Sequence, residues 1–79
     1  MNKRDAQIIC NNIVSALTKE RINQGISQYK MAKDIGMSKS SILYIENQTQ
    51  TPSLRTIIII ADYLGVKLNV LLDDKKASL

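Results

Sequence analysis

The sequence predicts an all-α fold, a compact domain of five helices. Apolar residues recur three or four positions apart along most of the 79 residues, which is the spacing that gathers them on one face of a helix. Serine precedes several of these stretches and glycine follows them, as at the beginnings and ends of helices. An apolar fraction of 44% with one proline indicates a packed core. We expect residues 1–79 to form a single domain, with 73–79 as a flexible tail.

The first helix is predicted at residues 5–24. Ile9, Ile13 and Leu17 are spaced four apart in this stretch, so they share one face of the helix. Gly25 follows the last turn and is expected to end the helix, because a residue without a Cβ adopts the left-handed conformation at little cost.

Two short helices are predicted next, at residues 28–35 and 39–46. Ser27 and Ser38 each precede one of them and can cap it with a side-chain oxygen. Gly36 lies between the two helices and provides the tight turn. Two short helices joined in this way form a helix-turn-helix pattern.

The last two helices are predicted at residues 53–64 and 67–72. Ser53 can cap the first of them, and Gly65 stops it. The four consecutive isoleucines in this stretch are more than one helix face can bury. Its buried face is expected to consist of Leu54, Ile57, Ala61 and Leu64.

The composition excludes several kinds of chemistry. The chain has no histidine, and Cys10 is its only cysteine, so neither an intrachain disulfide nor a zinc site of the usual kind is possible. The usual groups for general acid–base or metal catalysis are also missing, so we expect no enzymatic activity and no cofactor. No apolar run approaches the ~18 residues of a membrane span. We therefore expect a soluble, cytoplasmic chain without a membrane partner.

The positive charge lies in the first half of the chain. Residues 1–39 hold seven Lys and Arg against three acidic residues, which accounts for the net charge of +4, whereas residues 40–79 hold four of each. A basic half in a chain of pI about 9.4 is consistent with a polyanionic partner.

A longer pattern of residues runs through 21–72. It consists of Arg21, the segments 25–28 and 36–38, Ala32, Ile42, Ile45 with Glu46, the segments 52–54, 60–61 and 64–66, and Leu68 with Leu71 and Leu72. In these residues the chain resembles the helix-turn-helix family of phage repressors, Cro proteins and related bacterial regulators, the XRE or lambda-repressor-like proteins. The resemblance implies a five-helix domain whose third helix, at 38–47, enters the major groove of double-stranded DNA.

The same resemblance implies a set of DNA-binding residues. Lys39, Ser40 and Tyr44 correspond to positions that read base edges, whereas the others are expected to contact the phosphate backbone. In full, the expected DNA-binding residues are Gln28, Ser38, Lys39, Ser40, Ser41, Tyr44, Asn47 and Thr49.

Two further expectations concern the frame around this motif. Arg21 and Glu46 correspond to a pair that the family often buries as a structural salt bridge. Gln48 stands where the family commonly has glycine, so we expect Asn47 or Gln48 to adopt a left-handed turn at the end of the third helix.

Ile59, Tyr63 and Val70 either complete the core or form an apolar surface. We favour a surface that serves as a homodimer interface, because a symmetric dimer covers apolar area and doubles the number of phosphate contacts.

Two functions remain open at this point. The first is a sequence-specific transcriptional regulator, most simply a repressor, bound as a homodimer to a pseudo-palindromic operator. A phage repressor, a restriction-modification controller and an antitoxin would look alike. The second is an antitoxin-like or adaptor module whose main role is to bind a protein partner, either a toxin or a co-regulator, through the surface around Ile59.

Overall fold

Four helices are present in residues 1–67, which is the part of the chain that the computed structural model describes. They are α1 (Lys3–Asn23), α2 (Gln28–Ile35), α3 (Lys39–Glu46) and α4 (Leu54–Leu64). The prediction of an all-α fold is confirmed for these residues, and each predicted end lies within two residues of the observed one. The predicted fifth helix, apart from Lys67, and the predicted tail lie outside the described residues.

Each helix begins at a side chain that accepts a hydrogen bond from a backbone N–H of its first turn. Ser27, Ser38 and Ser53 cap α2, α3 and α4 as predicted, all three in an extended backbone conformation. Asn2 caps α1 in the same way, accepting from the N–H of Asp5 at 2.8 Å. This cap extends α1 further toward the N-terminus than predicted.

Gly36 creates the turn between α2 and α3. It has a left-handed backbone with φ of 76°, a conformation that costs a residue with a side chain roughly 1–2 kcal/mol. The N–H groups of Gly36 and Met37 reach back to the carbonyls of Lys33 and Ala32, which satisfies the end of α2. The direction of α3 relative to α2 is fixed here.

The core lies where the four helices meet. α2 and α3 contact each other closely, α1 packs against α3 and α4, and α2 also reaches α4. Because the helices are short, much of the stability depends on this shared apolar interior. The buried apolar residues are Val14, Leu17, Met31, Ala32, Ile42, Ile45, Ile57, Ile60, Ala61 and Leu64.

The predicted buried face of α4 is wrong at one position. Leu54 is 69% exposed, while Ile60, which was not expected on that face, is buried. Leu54 is the first residue of α4 and lies three positions before Ile57, the first residue of that helix to be buried. Ile57, Ala61 and Leu64 are buried as predicted.

None of the helices in residues 1–67 combines the length and the apolar character needed to cross a membrane.

Candidate nucleic-acid interface

The two sides of α3 differ in chemistry. Ile42 and Ile45 point into the core and are almost completely buried. Lys39, Ser40 and Tyr44 lie on the surface, and Tyr44 is 48% exposed. The helix therefore presents a cationic amine, a hydroxyl and a phenol to solvent while its apolar side fixes its position.

Three side chains hold α3 to the first two helices, and we call them the Arg21 cluster: Arg21, Gln28 and Glu46. Arg21 in α1 donates to both carboxylate oxygens of Glu46, from Nε to Oε2 at 2.7 Å and from Nη2 to Oε1 at 2.8 Å. Gln28 in α2 donates from Nε2 to Glu46 Oε1 at 2.9 Å. The expected contact between Arg21 and Glu46 is thus present, in a bidentate geometry.

Arg21 also closes the connection between α1 and α2. Its Nη1 donates to the carbonyl oxygen of Ile26 at 2.6 Å, in the segment just before the cap of α2. One buried guanidinium therefore fixes the end of α3 and the start of α2 together, which is possible because its donors form a rigid planar fork.

The N-terminus of α3 is organised by two serines. Ser38 Oγ accepts from the N–H of Ser41 at 3.0 Å and donates to Ser41 Oγ at 2.9 Å. Both hydroxyls thus lie at the positive end of the helix dipole. They flank Lys39 and Ser40 on the exposed turn.

The segment after α3 turns through Gln48. This residue has φ of 66°, and among the non-glycine residues of 1–67 only Gln48 has positive φ, as the sequence predicted for Asn47 or Gln48. Its side chain donates to the carbonyl oxygen of Asn11 at 3.2 Å and to Ser15 Oγ at 3.0 Å. Gln48 therefore ties the segment to α1, a role that the sequence did not reveal.

Asn47 and Thr49 support each other next to this turn. Asn47 Oδ1 accepts from the N–H of Thr49 at 3.0 Å and from its hydroxyl at 2.6 Å. Both residues are exposed. Because its oxygen is occupied in this way, Asn47 has its amide N–H groups left as donors.

A second set of polar side chains joins α2 to α4, and we call it the Asp34 cluster: Lys30, Asp34 and Tyr63. Lys30 Nζ lies 2.7 Å from Asp34 Oδ2, and the Tyr63 hydroxyl donates to the same oxygen at 2.6 Å. The hydrogen bond from Lys30, followed by that from Tyr63, lowers the pKa of Asp34. Bonding to Asp34 in turn raises the pKa of Lys30 and of Tyr63.

The predicted dimer residues are placed only in part. Ile59 on α4 is 40% exposed, whereas Tyr63 is half-buried and its hydroxyl contacts Asp34. Val70 lies outside the described residues. Ile58 beside Ile59 is also exposed, so α4 carries apolar side chains on its outer side.

In the described part of the chain, no group of three or more Asp, Glu, Cys or His side chains could hold a metal ion.

A capped helix pair around a left-handed glycine, with the second helix exposed on a polar face, defines a helix-turn-helix protein. A family model described as Helix-turn-helix matches residues 17–71. The chain belongs to this family, and the resemblance seen in the sequence is confirmed.

A curated relative is the cryptic phage CTXphi transcriptional repressor RstR of Vibrio cholerae. It is 30% identical to the chain over 59 residues, which cover 75% of this chain and 53% of RstR. The chain thus spans about half the length of the curated relative that it matches. No solved structure matches the chain significantly.

Proposed function

We propose that the chain is a sequence-specific transcriptional regulator that represses its target by placing α3 in the major groove of DNA. The observation that carries this proposal is the exposed polar face of α3, held in place by the Arg21 cluster. The similarity to a phage transcriptional repressor supports the repressing role, and the basic first half of the chain favours a polyanionic partner.

Lys39, Ser40 and Tyr44 are the proposed base readers. The Lys39 ammonium can donate to guanine O6 or N7, and the Ser40 hydroxyl can donate or accept. Tyr44 lies about one turn further along α3 and can pack its ring on a thymine methyl group. None of these side chains makes a bidentate contact with one base, so the chain is expected to share its specificity among several weak contacts.

The proposed phosphate contacts surround these readers. Ser38, Ser41, Asn47 and Thr49 lie at the two ends of α3, where the DNA backbone would border the groove. Gln28 is a further candidate, although one of its amide hydrogens contacts Glu46 at 2.9 Å. Its second amide hydrogen remains free to donate to a phosphate, and its oxygen can accept from a bridging water.

A homodimer on a pseudo-palindromic operator is the proposed assembly. Ile58 and Ile59 are 44% and 40% exposed on α4, and burying such side chains against a second copy removes apolar area from water. A symmetric dimer would place two copies of α3 about one helical turn apart on the DNA. The same apolar face supports the second candidate, a module that mainly binds a protein partner.

Selection of DNA from a random pool tests the proposal directly. We expect the purified chain to enrich a two-part palindrome with half-sites about 10 base pairs apart. Its affinity for that site should fall steeply as salt rises, because bound phosphates release their counterions. Enrichment of no sequence together with flat salt dependence would exclude the regulator and leave the protein-binding module.

Two kinds of variant sharpen the test. Lys39→Ala and Tyr44→Ala should each cost about 1–3 kcal/mol on the selected site and much less on mixed-sequence DNA, while Ser41→Ala should weaken both similarly. Equal losses on both DNAs for all three variants would contradict the proposed division between base readers and phosphate contacts.

A further inference from the structure

The first half of α1 projects beyond the part of the chain that the family model covers. α1 begins at Lys3, about five turns before Arg21, whereas the family match begins at residue 17. Val14 is the first residue of α1 that is buried. The turns before Val14 therefore contribute little to the core, and most of their side chains lie at the surface.

One side of this projecting half lies against the segment that follows α3. Gln7 Oε1 accepts from the Thr51 hydroxyl at 3.4 Å, and Gln48 reaches both Asn11 and Ser15. Gln7 also donates to Asn11 Oδ1 at 2.9 Å. Gln7, Asn11 and Ser15 are spaced four apart and form one row along the helix.

Lys3 and Arg4 continue this row by one turn. Lys3 precedes Gln7 by four positions and Arg4 precedes Asn11 by seven, so each cation lies within about 40° of a row residue around the helix. Both are exposed, and within residues 1–67 neither takes part in an ion pair. The neighbouring acid, Asp5, points about 200° away from Lys3.

The segment after α3, which lies against this row, carries no negative charge. The segment 47–53 has only uncharged residues. The backbone N–H of Asp5 is already bonded to Asn2, and the side chains of Lys3 and Arg4 provide two positive charges that can attract an anion. Such a surface matches the negative charge of a nucleic-acid backbone.

We propose that Lys3 and Arg4 bind the DNA phosphates just outside those reached by the segment after α3. This inference rests on the proposed function, because it requires α3 in the major groove. With α3 there, Thr49 and its neighbours border one strand of the DNA. The row on α1 lies beside them, and its first turn extends along the same strand. The projecting half of α1 thus lengthens the footprint without reading sequence.

Salt titration of the double variant Lys3→Gln/Arg4→Gln tests this contact. The probe is a fluorescent duplex of about three helical turns, centred on the sequence that the wild-type chain selects. Log affinity falls as log salt rises, and each lost phosphate contact should make this fall shallower by about 0.9 in slope. For two contacts per protomer, the affinity ratio of wild type to variant should shrink about tenfold for each bound protomer between 0.05 M and 0.2 M salt, and therefore on the order of a hundredfold for the proposed homodimer.

Lys19→Gln is the matched control, since Lys19 is an exposed cation of the same helix but lies 16 residues after Lys3, about 24 Å further along α1 and beyond its projecting half. It should leave the slope closer to that of the wild type than Lys3→Gln or Arg4→Gln does. An equal change for all three single variants would mean a general charge effect and would overturn the proposal. Circular dichroism should show unchanged helix content, because these side chains are exposed.

A shortened duplex separates this inference from the proposed function. Trimming the probe to the selected base pairs should reduce the affinity of the wild-type chain and leave the affinity of the double variant unchanged. If the wild-type chain binds the long duplex with a steep salt slope but the double variant matches it, the α1 contact alone fails. If the wild-type chain shows no salt-dependent binding, the proposed function fails and the contact with it.

Discussion

The Arg21 cluster and the Asp34 cluster join helices through contacts of the same length but lie in different surroundings. Arg21 Nε–Glu46 Oε2 and Lys30 Nζ–Asp34 Oδ2 both measure 2.7 Å. The Arg21 and Glu46 side chains are 10% and 9% exposed, whereas those of Lys30 and Asp34 are 63% and 30% exposed. Contact length therefore says little about how strongly each cluster affects stability, because burial determines what happens when one partner is lost.

The two clusters also hold different parts of the molecule. The Arg21 cluster connects α1, α2 and α3 and includes the last residue of α3, Glu46. The Asp34 cluster connects α2 and α4 and leaves α3 untouched. A defect in the first cluster should thus disturb the proposed DNA-binding helix, while a defect in the second should not.

Glu46→Ala should have the largest effect. It leaves the Arg21 guanidinium buried without its carboxylate, which is expected to lower the free energy of unfolding by about 3–5 kcal/mol. Urea unfolding followed by circular dichroism measures this change. A loss below about 1 kcal/mol would mean that water reaches Arg21 as freely as it reaches Lys30, and the contrast between the clusters would disappear.

Two controls accompany this variant. Asp34→Ala removes the carboxylate of the exposed cluster and should cause a much smaller change, because water solvates Lys30 in its absence. Arg21→Met/Glu46→Leu removes both buried charges and should recover much of the stability lost in Glu46→Ala. Failure of the double variant to recover any stability would assign the loss to packing instead of the unpaired charge.

Gln48 is exposed and uncharged, and its side chain links the segment after α3 to α1. The effect of replacing it on the free energy of unfolding is expected to lie between the effects of the two clusters. Gln48→Ala loses the contacts to Asn11 and Ser15 and keeps a left-handed residue with a side chain. Gln48→Gly loses the same contacts but removes the conformational cost. Unfolding measurements should find the glycine variant more stable than the alanine variant by about 1 kcal/mol.

Gln50 supplies the comparison for this pair, because it is exposed in the same segment and its φ is not positive. There the order should reverse, with Gln50→Ala at least as stable as Gln50→Gly, since glycine only adds entropy to the unfolded chain. The same order at both positions would contradict a specific role for the left-handed backbone at Gln48.

Local signals in the sequence were sufficient to predict the helices of residues 1–67. Ser27, Ser38 and Ser53 cap because their hydroxyls can reach a backbone N–H three positions on, a relation contained within one turn. The orientation of α4 was harder to predict. With four consecutive isoleucines, every direction around the helix carries an apolar side chain, and only packing decides that Ile60 is buried.

In the candidate site, too, local features could be predicted from the sequence, whereas contacts between separate helices could not. The exposed face of α3 follows from helical spacing and from the buried Ile42 and Ile45. The bond from Gln28 to Glu46 and that from Tyr63 to Asp34 join residues 18 and 29 positions apart. No local pattern determines such contacts, because they depend on how separate helices dock. The pair of Arg21 with Glu46 was expected only from the family resemblance.

The smallest expected effect is the pH dependence of the Asp34 cluster. Bonding to Lys30 and Tyr63 lowers the pKa of Asp34 in the folded chain. The cluster therefore adds stability above the unfolded-state pKa of about 3.8 and loses it as the pH falls through the lower folded-state pKa. Asp34→Asn keeps an oxygen for the Tyr63 hydroxyl but cannot ionise, so the wild-type advantage over it should shrink as the pH falls from about 5 to about 3.

At alkaline pH the stability contributed by the same cluster changes in the opposite direction. The pKa values of Tyr63 and Lys30 are raised in the folded chain, so their contribution is present below about pH 10 and is lost as the pH rises through the folded-state values. Melting temperatures of wild type and Asp34→Asn across pH 3–11 measure both limbs, and the remaining carboxylates cancel in the difference. A difference in melting temperature that stays constant across this range would show that water screens the exposed Asp34 cluster completely. The charges of that cluster would then add nothing to stability, in full contrast to those of the Arg21 cluster.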